Sequence, residues 1–244
     1  MSFKEKTVIV TGATSGMGKD IAQALHEKGA QVVAGGRDQI RGAELQNQGI
    51  VFVPGDIKIP QANQALVEKA MTTYGRLDAL VIAAGQLGIG RLHELSLEDW
   101  EDTLATNLSA VFYLLKYAIP HLKEGGQVVI IGSVAALHAF PDHPAYTASK
   151  AALPGLVKQI ALDYGPAIRI NLVSPAQVLT PLLQDSVKAF ENPETILEET
   201  AASLPMKRLG LPRDITNMVL YLLGEEASWI TGSNFVVDGG FLST

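Results

Sequence analysis

Short aliphatic and β-branched runs, apolar at nearly every position, recur along the chain. They are TVIVT from Thr7, QVV from Gln31, IVFV from Ile50, ALVIAA from Ala79, QVVIIGS from Gln127, IRINLVS from Ile168 and NFVVD from Asn234. Runs with no polar alternation are read as strands buried on both faces, as in a central parallel sheet. Between them lie segments of helical period: DIAQALHEKG, QANQALVEKAMTTYG, LEDWEDTLATNLSAVFYLLKYAIPHLKEGG and AYTASKAALPGLVKQIALDYG. Gly29, Gly75, Gly125 and Gly165 punctuate their ends, where the left-handed backbone of a helix stop favours glycine. Strand and helix in alternation predict right-handed βαβ units. The fold class expected is α/β: a Rossmann-like, doubly wound parallel sheet of about seven strands with helices on both faces.

No Pro/Gly/Ser linker, low-complexity tract or fixed-period repeat divides the chain, so residues 1–244 are read as one domain. The alternation fails over about 180–210, a stretch between two strands with prolines at both ends. Placed beyond the carboxyl end of a strand, it is suited to cover a site in the sheet's crevice as a substrate lid; the plainer reading is a surface helical excursion.

Composition narrows the functional classes. Hydrophobic residues make up 47% and charged ones 18% of 244, which describes a globular protein. A net charge of −6 disfavours a nucleic-acid or anionic-membrane partner, since both need clustered positive charge. No cysteine occurs, which excludes disulfides, thiolate catalysis and Cys-based metal sites, and the five histidines show no HExxH spacing, so no metal is expected. The first apolar run is too short for a secretory signal and no run approaches a membrane span, so the expected location is cytoplasmic.

Two patterns carry chemistry. In TVIVTGATSGMGKDIAQAL, Gly12, Gly16 and Gly18 follow a strand and open a helix, where backbone can approach a pyrophosphate and the helix dipole favours the anion. In PAYTASKAAL, Tyr146 and Lys150 are four residues apart on one helix face. An ammonium beside a phenol favours the phenolate, so Lys150 is expected to lower the Tyr146 pKa and fit it for proton exchange with an alcohol or carbonyl. Ser133 stands thirteen residues upstream of Tyr146, at the end of VVIIGS.

Taken in order, TGATSGMG at 11–18, GDI at 55–57, AAG at 83–85, Asn107, Ser133, YTASK from Tyr146, NLVSPAQVLTPL at 171–182 and ITGSNFVVDGG at 230–240 resemble the short-chain dehydrogenases/reductases over nearly the whole chain. The resemblance implies an NAD(P)-dependent oxidoreductase moving a hydride between nicotinamide and a carbonyl or secondary alcohol. Tyr146 would be the general acid/base, helped by Lys150 and by the charge of oxidised nicotinamide, Ser133 would position the substrate oxygen, and Asn107 would hold a relay water near Lys150. It implies cofactor contacts from Gly12, Thr14, Ser15, Gly16, Met17, Gly18, Asp56, Ile57, Ala84, Gly85, Tyr146, Lys150, Pro175, Ala176, Val178 and Thr180. It also implies a homotetramer built through the helices around 99–121 and 145–164 and the C-terminal strand.

Cofactor choice is read at the end of the second strand, where Gly36 and Arg37 offer space and a guanidinium suited to a 2′-phosphate. NADP(H) is favoured, with NAD(H) as the alternative because Arg37 could simply pair with Asp38. Two departures from the family pattern stand out: Ile82 and Ala83 where two asparagines are usual, which removes side-chain ties from that strand end, and Ala176 where a glycine follows the proline. For substrate, the expected lining is Gln86, Leu87, Ser133, Ala135, His143, Gln177 and the lid near Leu182 and Leu183, which suits a small, neutral, moderately hydrophobic carbonyl or alcohol. Rival readings are an acyl-carrier-linked β-ketoacyl reductase, docking through Lys207, Arg208 and Arg213, and a non-catalytic NADP(H) sensor.

Overall fold

The computed structural model describes residues 2–188 and 192–243. Strands β1 (Thr7–Thr11), β2 (Gln31–Gly36), β3 (Val51–Pro54), β4 (Leu77–Ile82), β5 (Leu122–Ile131), β6 (Ile168–Pro175) and β7 (Asn234–Val237) pair in parallel. Their order is β3-β2-β1-β4-β5-β6-β7. The helices are α1 (Gly16–Glu27), α2 (Gln39–Asn47), α3 (Pro60–Tyr74), α4 (Leu97–Leu104), α5 (Ala110–Ala118), α6 (Pro144–Tyr164), α7 (Pro181–Val187), α8 (Pro193–Ser203) and α9 (Pro212–Leu223).

Successive strand side chains point to opposite faces, and here both faces are apolar. Val8, Val10, Val129 and Ile131 join Ile21, Leu25, Leu45, Ile215 and Val219 of α1, α2 and α9 in one core. Ile9, Val128 and Ile130, the intervening residues, join Leu66, Val111, Leu114, Leu153 and Val157 of α3, α5 and α6 in the other. This is the doubly wound architecture predicted from the strand pattern.

Three local features depart from the sequence reading. The long helix from Leu97 is broken by a π-helical turn at Ala105–Ser109 and ends before Pro120, and its tail LKEGG runs into β5. Gly125 accordingly takes φ +78° inside β5 rather than at a helix stop. Gly165 is extended at φ −69° and ψ 145°, because the ring of the following Pro166 disfavours helical backbone in the residue before it. Helices α2 and α9 went unread. Little of α2 is buried apart from Gly42 and Leu45, whereas α9 carried a legible signal, Pro212 followed by Ile215, Val219, Leu222 and Leu223 at helical spacing.

Candidate active site

The sheet's order reverses between β1 and β4, which opens a crevice at the carboxyl ends of its strands. Bare glycines let the surrounding backbones close on one another. A Cβ on Gly12, at φ +66°, would lie 2.8 Å from the Ala84 Cα, and one on Gly18 only 2.3 Å from the Gly12 carbonyl oxygen. Helix α1 begins here with no side-chain cap and no acidic residue in its first turn, leaving N–H groups available to an anion.

A cavity of about 470 Å³ occupies the crevice, and its walls bring together the predicted Gly12, Thr14, Ser15, Gly16, Met17, Gly18, Arg37, Asp56, Ile57, Ala84, Gly85, Tyr146, Lys150 and Thr180. Pro175, Ala176 and Val178 instead line an adjoining cavity of about 300 Å³; Met17, Tyr146, Thr180 and Leu182 border both. The lost asparagines are compensated, since the Thr11 hydroxyl accepts from the amides of Ala83 at 3.2 Å and Ala84 at 3.4 Å. Asp56 forms a side-chain turn by accepting from the Lys58 amide at 3.0 Å.

Arg37 makes no hydrogen bond or ion pair among the described residues and is exposed at the cavity wall. Asp38, its expected partner, caps α2 instead: it accepts from the Arg41 amide at 3.0 Å and pairs with the Arg41 guanidinium at 3.4 Å. No carboxylate bonds Arg37 among the described residues; Asp102, already held by Lys58 and Gln86, feels its charge only through space.

Ser133 follows the end of β5 by two residues, its Oγ accepts from the Ala135 amide at 3.0 Å, and its hydroxyl is near enough to the Tyr146 phenol to favour the phenolate. Lys150 is 4% exposed, and Nζ donates to the Ile131 carbonyl at 3.0 Å. Nζ lies 5.7 Å from the Tyr146 ring centre. Burial pushes Lys150 down to about 8. Burial also pushes the Tyr146 phenol above its usual range, against a smaller downward pull from Ser133. This corrects the expectation that Lys150 lowers the tyrosine: the ammonium is bonded to Ile131, and the phenol's loss of water outweighs everything near it. The ammonium has three donors and one hydrogen-bond acceptor among the described residues, so its remaining N–H groups fit the hydroxyls of a nucleotide ribose in the cavity.

Asn107 lies on the π turn, 1% exposed. Its Oδ1 accepts from the Gln86 amide and its Nδ2 donates to the Gln86 carbonyl and to Ser149 Oγ, all at 3.0 Å. Ser149, unnoticed in the sequence reading although it lies three residues from Tyr146, donates to the Tyr146 carbonyl at 2.7 Å. Asn107 thus fastens the end of β4 to the helix that carries Tyr146.

Two predicted substrate contacts are corrected. The Gln86 side chain turns away to donate to Asp102 at 2.7 Å and accept from Thr106 at 3.2 Å, and Asp102 in turn holds Lys58. Ala135 is buried beneath the cavity floor at 1% exposure. Ser133, His143 and Gln177 do line the 300 Å³ cavity, with Leu87, Phe140, Leu182, Leu183, Val187 and Ile196 among its apolar walls. Helices α7 and α8 supply the last four of these, which is the side the lid was expected to cover; within its span, residues 189–191 lie outside the described residues. Phe140 stacks on Phe241 with ring centres 5.5 Å apart, so the C-terminal turn braces this wall.

The basic residues near the lid are engaged. Arg208 binds both oxygens of Asp214 at 2.6 and 3.0 Å, Arg213 pairs with Asp20 at 3.2 Å, and Lys207 donates to the Ala202 carbonyl at 2.8 Å. Among the described residues no cluster could hold a metal ion, and no helix is long and apolar enough to cross a membrane.

A seven-stranded parallel sheet with serine, tyrosine and lysine converging beside a glycine-lined cavity defines a nucleotide-dependent oxidoreductase scaffold, and sequence comparisons agree. A family model described as enoyl-(acyl carrier protein) reductase matches residues 12–242. An uncharacterized oxidoreductase of Thermotoga maritima is 38% identical over 98% of each chain. A cyclohexanol dehydrogenase of an Acinetobacter species is 35% identical over 99% of this chain and 96% of its own. The ligand-free aldohexose dehydrogenase of Thermoplasma acidophilum superposes with a TM-score of 0.92 at 31% identity, covering 99% of this chain and 96% of its own. The chain belongs to the short-chain dehydrogenase/reductase family, whose members are oxidoreductases using NAD(P) cofactors.

Proposed function

We propose that this chain is an NADP(H)-preferring oxidoreductase that interconverts a small secondary alcohol and its ketone, with Tyr146 moving the proton. The observation that carries the reading is Tyr146 itself, which lines both cavities at the seam where they meet, with Ser133 beside it in the smaller one. A bound nicotinamide supplies the hydride in reduction and accepts it in oxidation. Ser133 and Tyr146 hold the substrate oxygen, and as charge builds on that oxygen during reduction Tyr146 donates its proton to it; in oxidation the phenolate takes the hydroxyl proton. Lys150, fixed on Ile131, orients the ribose and keeps a positive charge beside the proton donor. Asn107 and Ser149 set the position of α6 beneath these groups.

The NADP(H) preference rests on Arg37, which is bonded to no carboxylate among the described residues and lines the cavity together with Arg41. NADPH is expected to bind more tightly than NADH in a fluorescence titration. Arg37→Ala is expected to erase roughly tenfold of that difference, as removal of one charge-assisted phosphate contact implies; an unchanged ratio would refute the assignment. The paired state of Arg208 and Arg213 favours a free small substrate over an acyl-carrier-bound one. Exposed Phe112, Leu162 and Val236, on α5, α6 and β7, support a homotetramer, a state light scattering would read directly.

A further inference from the structure

The loop that leaves β4 has no polar side chain of its own until Gln86, since Ala83, Ala84 and Gly85 come first. Gly85 sits against two groups of the site: a Cβ there would lie 3.4 Å from Asn107 Oδ1 and 3.7 Å from Lys150 Nζ. The course of this loop therefore bears directly on both residues. Gln86 ties it down. Its amide and its carbonyl are held by Asn107, and its side chain donates to Asp102 at 2.7 Å and accepts from Thr106 at 3.2 Å. Two residues further on, a Cβ on Gly88 would meet Thr103 Oγ1 at 2.4 Å, so the loop lies flush on α4.

Asp102, on α4, is the charged member of this set, and its two oxygens serve two different loops. Oδ2 accepts from Gln86 in the loop after β4, and Oδ1 accepts from Lys58 Nζ in the loop after β3. In the sheet those two strands are separated by β2 and β1, so Asp102 spans the crevice. Lys58 Nζ also lies 3.7 Å from Asp56, a wall residue of the larger cavity. The Lys58 bond first, and the Gln86 bond second, hold the Asp102 carboxyl below the usual carboxylate range, so it stays charged. The side chains of the ion pair are 26% and 36% exposed, and pairs so exposed contribute little to stability. Their consequence lies in placement.

Resting on the oxidoreductase reading above, we infer that Asp102 is a positioning residue for catalysis: by joining the loop after β3 to Gln86, it holds the loop after β4 where Asn107 and Lys150 need it. Asp102 lines neither the larger cavity nor the one beside Tyr146, so it acts through Gln86 and Asn107 rather than by touching a ligand. Without its carboxylate the Gln86 amide nitrogen loses its acceptor and the bridge to Lys58 is gone. The loop then rests on Thr106 and Asn107 alone for its polar ties at Gln86.

The test measures kcat with a small ketone, NADPH affinity by fluorescence titration, and thermal melting in Asp102→Leu, Asp102→Asn and Glu101→Gln. Asp102→Leu removes both bonds, and kcat is expected to fall by about ten- to hundredfold, the effect of a small displacement of catalytic groups. NADPH affinity stays within about threefold of wild type and melting barely moves, since a half-exposed ion pair adds little to stability. Asp102→Asn, which keeps an oxygen for Gln86, retains part of the lost rate. Glu101→Gln, the same change of charge on the neighbouring residue, behaves as wild type. An unchanged kcat in Asp102→Leu, a loss of NADPH affinity as large as the loss of kcat, or an equal effect of Glu101→Gln overturns the inference. Where Asp102→Leu does not fold, Asp102→Asn is judged by the same comparison. If wild type binds NADPH and reduces no ketone, the oxidoreductase reading itself has failed. The emission of bound NADPH then decides the role of Asp102: a wavelength or yield altered in Asp102→Leu at unchanged affinity supports it, and identical emission refutes it.

Discussion

Tyr146→Phe lowers kcat by about 10²–10⁴-fold in both directions, the contribution expected of one positioned general acid/base, while NADPH binding stays close to wild type. The substitution removes only the hydroxyl. The ring keeps its edge contact with His143, and Lys150 keeps its bond to Ile131. A parallel loss of cofactor affinity would mean that the hydroxyl matters to the architecture rather than to the proton. The pH dependence follows from the same groups. Burial raises the phenol above its ordinary range and lowers Lys150 to about 8, so near neutrality Tyr146 is protonated and Lys150 mostly charged. Protonated phenol is the form reduction requires and phenolate the form oxidation requires. The reduction rate is expected to hold through neutral pH and fall on the alkaline side, and the oxidation rate to climb with pH. An oxidation rate that fell as pH rose from neutrality would reverse the assigned sign.

The second large effect is expected at Gly18. Its added Cβ would meet the Gly12 carbonyl oxygen at 2.3 Å and carbon at 2.7 Å, both backbone atoms with no flexible end to swing aside. Gly18→Ala must therefore displace either the turn after β1 or the start of α1, the two pieces that frame the larger cavity. Forced repacking of about 1–3 kcal/mol corresponds to a loss in NADPH affinity of roughly 5- to 150-fold, read by titration. Gly155→Ala is the contrast: in α6 its Cβ meets nothing within 4 Å. It is expected to leave affinity alone and to raise stability slightly, because glycine weakens a helix interior. Equal behaviour of the two variants would show that the close approach at Gly18 does not control the cavity.

Much of this site was legible because its parts are local. Strand, bare glycines and helix are contiguous in TVIVTGATSGMGKDIAQAL, and Tyr146 and Lys150 share one helix face, so spacing alone brings them together. The pairing of Val8 and Val10 on one core and Ile9 on the other was likewise implicit in an unbroken apolar strand. What escaped depends on partners distant in sequence. Nothing near Gln86 announces that Asp102 and Thr106 will claim its side chain, and nothing near Ala83 announces that Thr11 will replace the missing asparagines. The π turn at Asn107 gave only an indirect signal, an asparagine in mid-helix that has a task. The direction of the Tyr146 shift was misjudged for the same reason: i, i+4 spacing gives the neighbour, but the loss of solvent is set by the whole fold.

The most direct test of the central claim is to bind NADPH to the protein, add a series of small ketones, and follow the nicotinamide absorbance together with product formation. The expected result is, for at least one ketone, a loss of absorbance matched mole for mole by the secondary alcohol. Tight NADPH binding with no absorbance change for any ketone tried, and none in reverse with the alcohols and NADP+, would contradict it and leave a nucleotide-binding sensor in place of an enzyme.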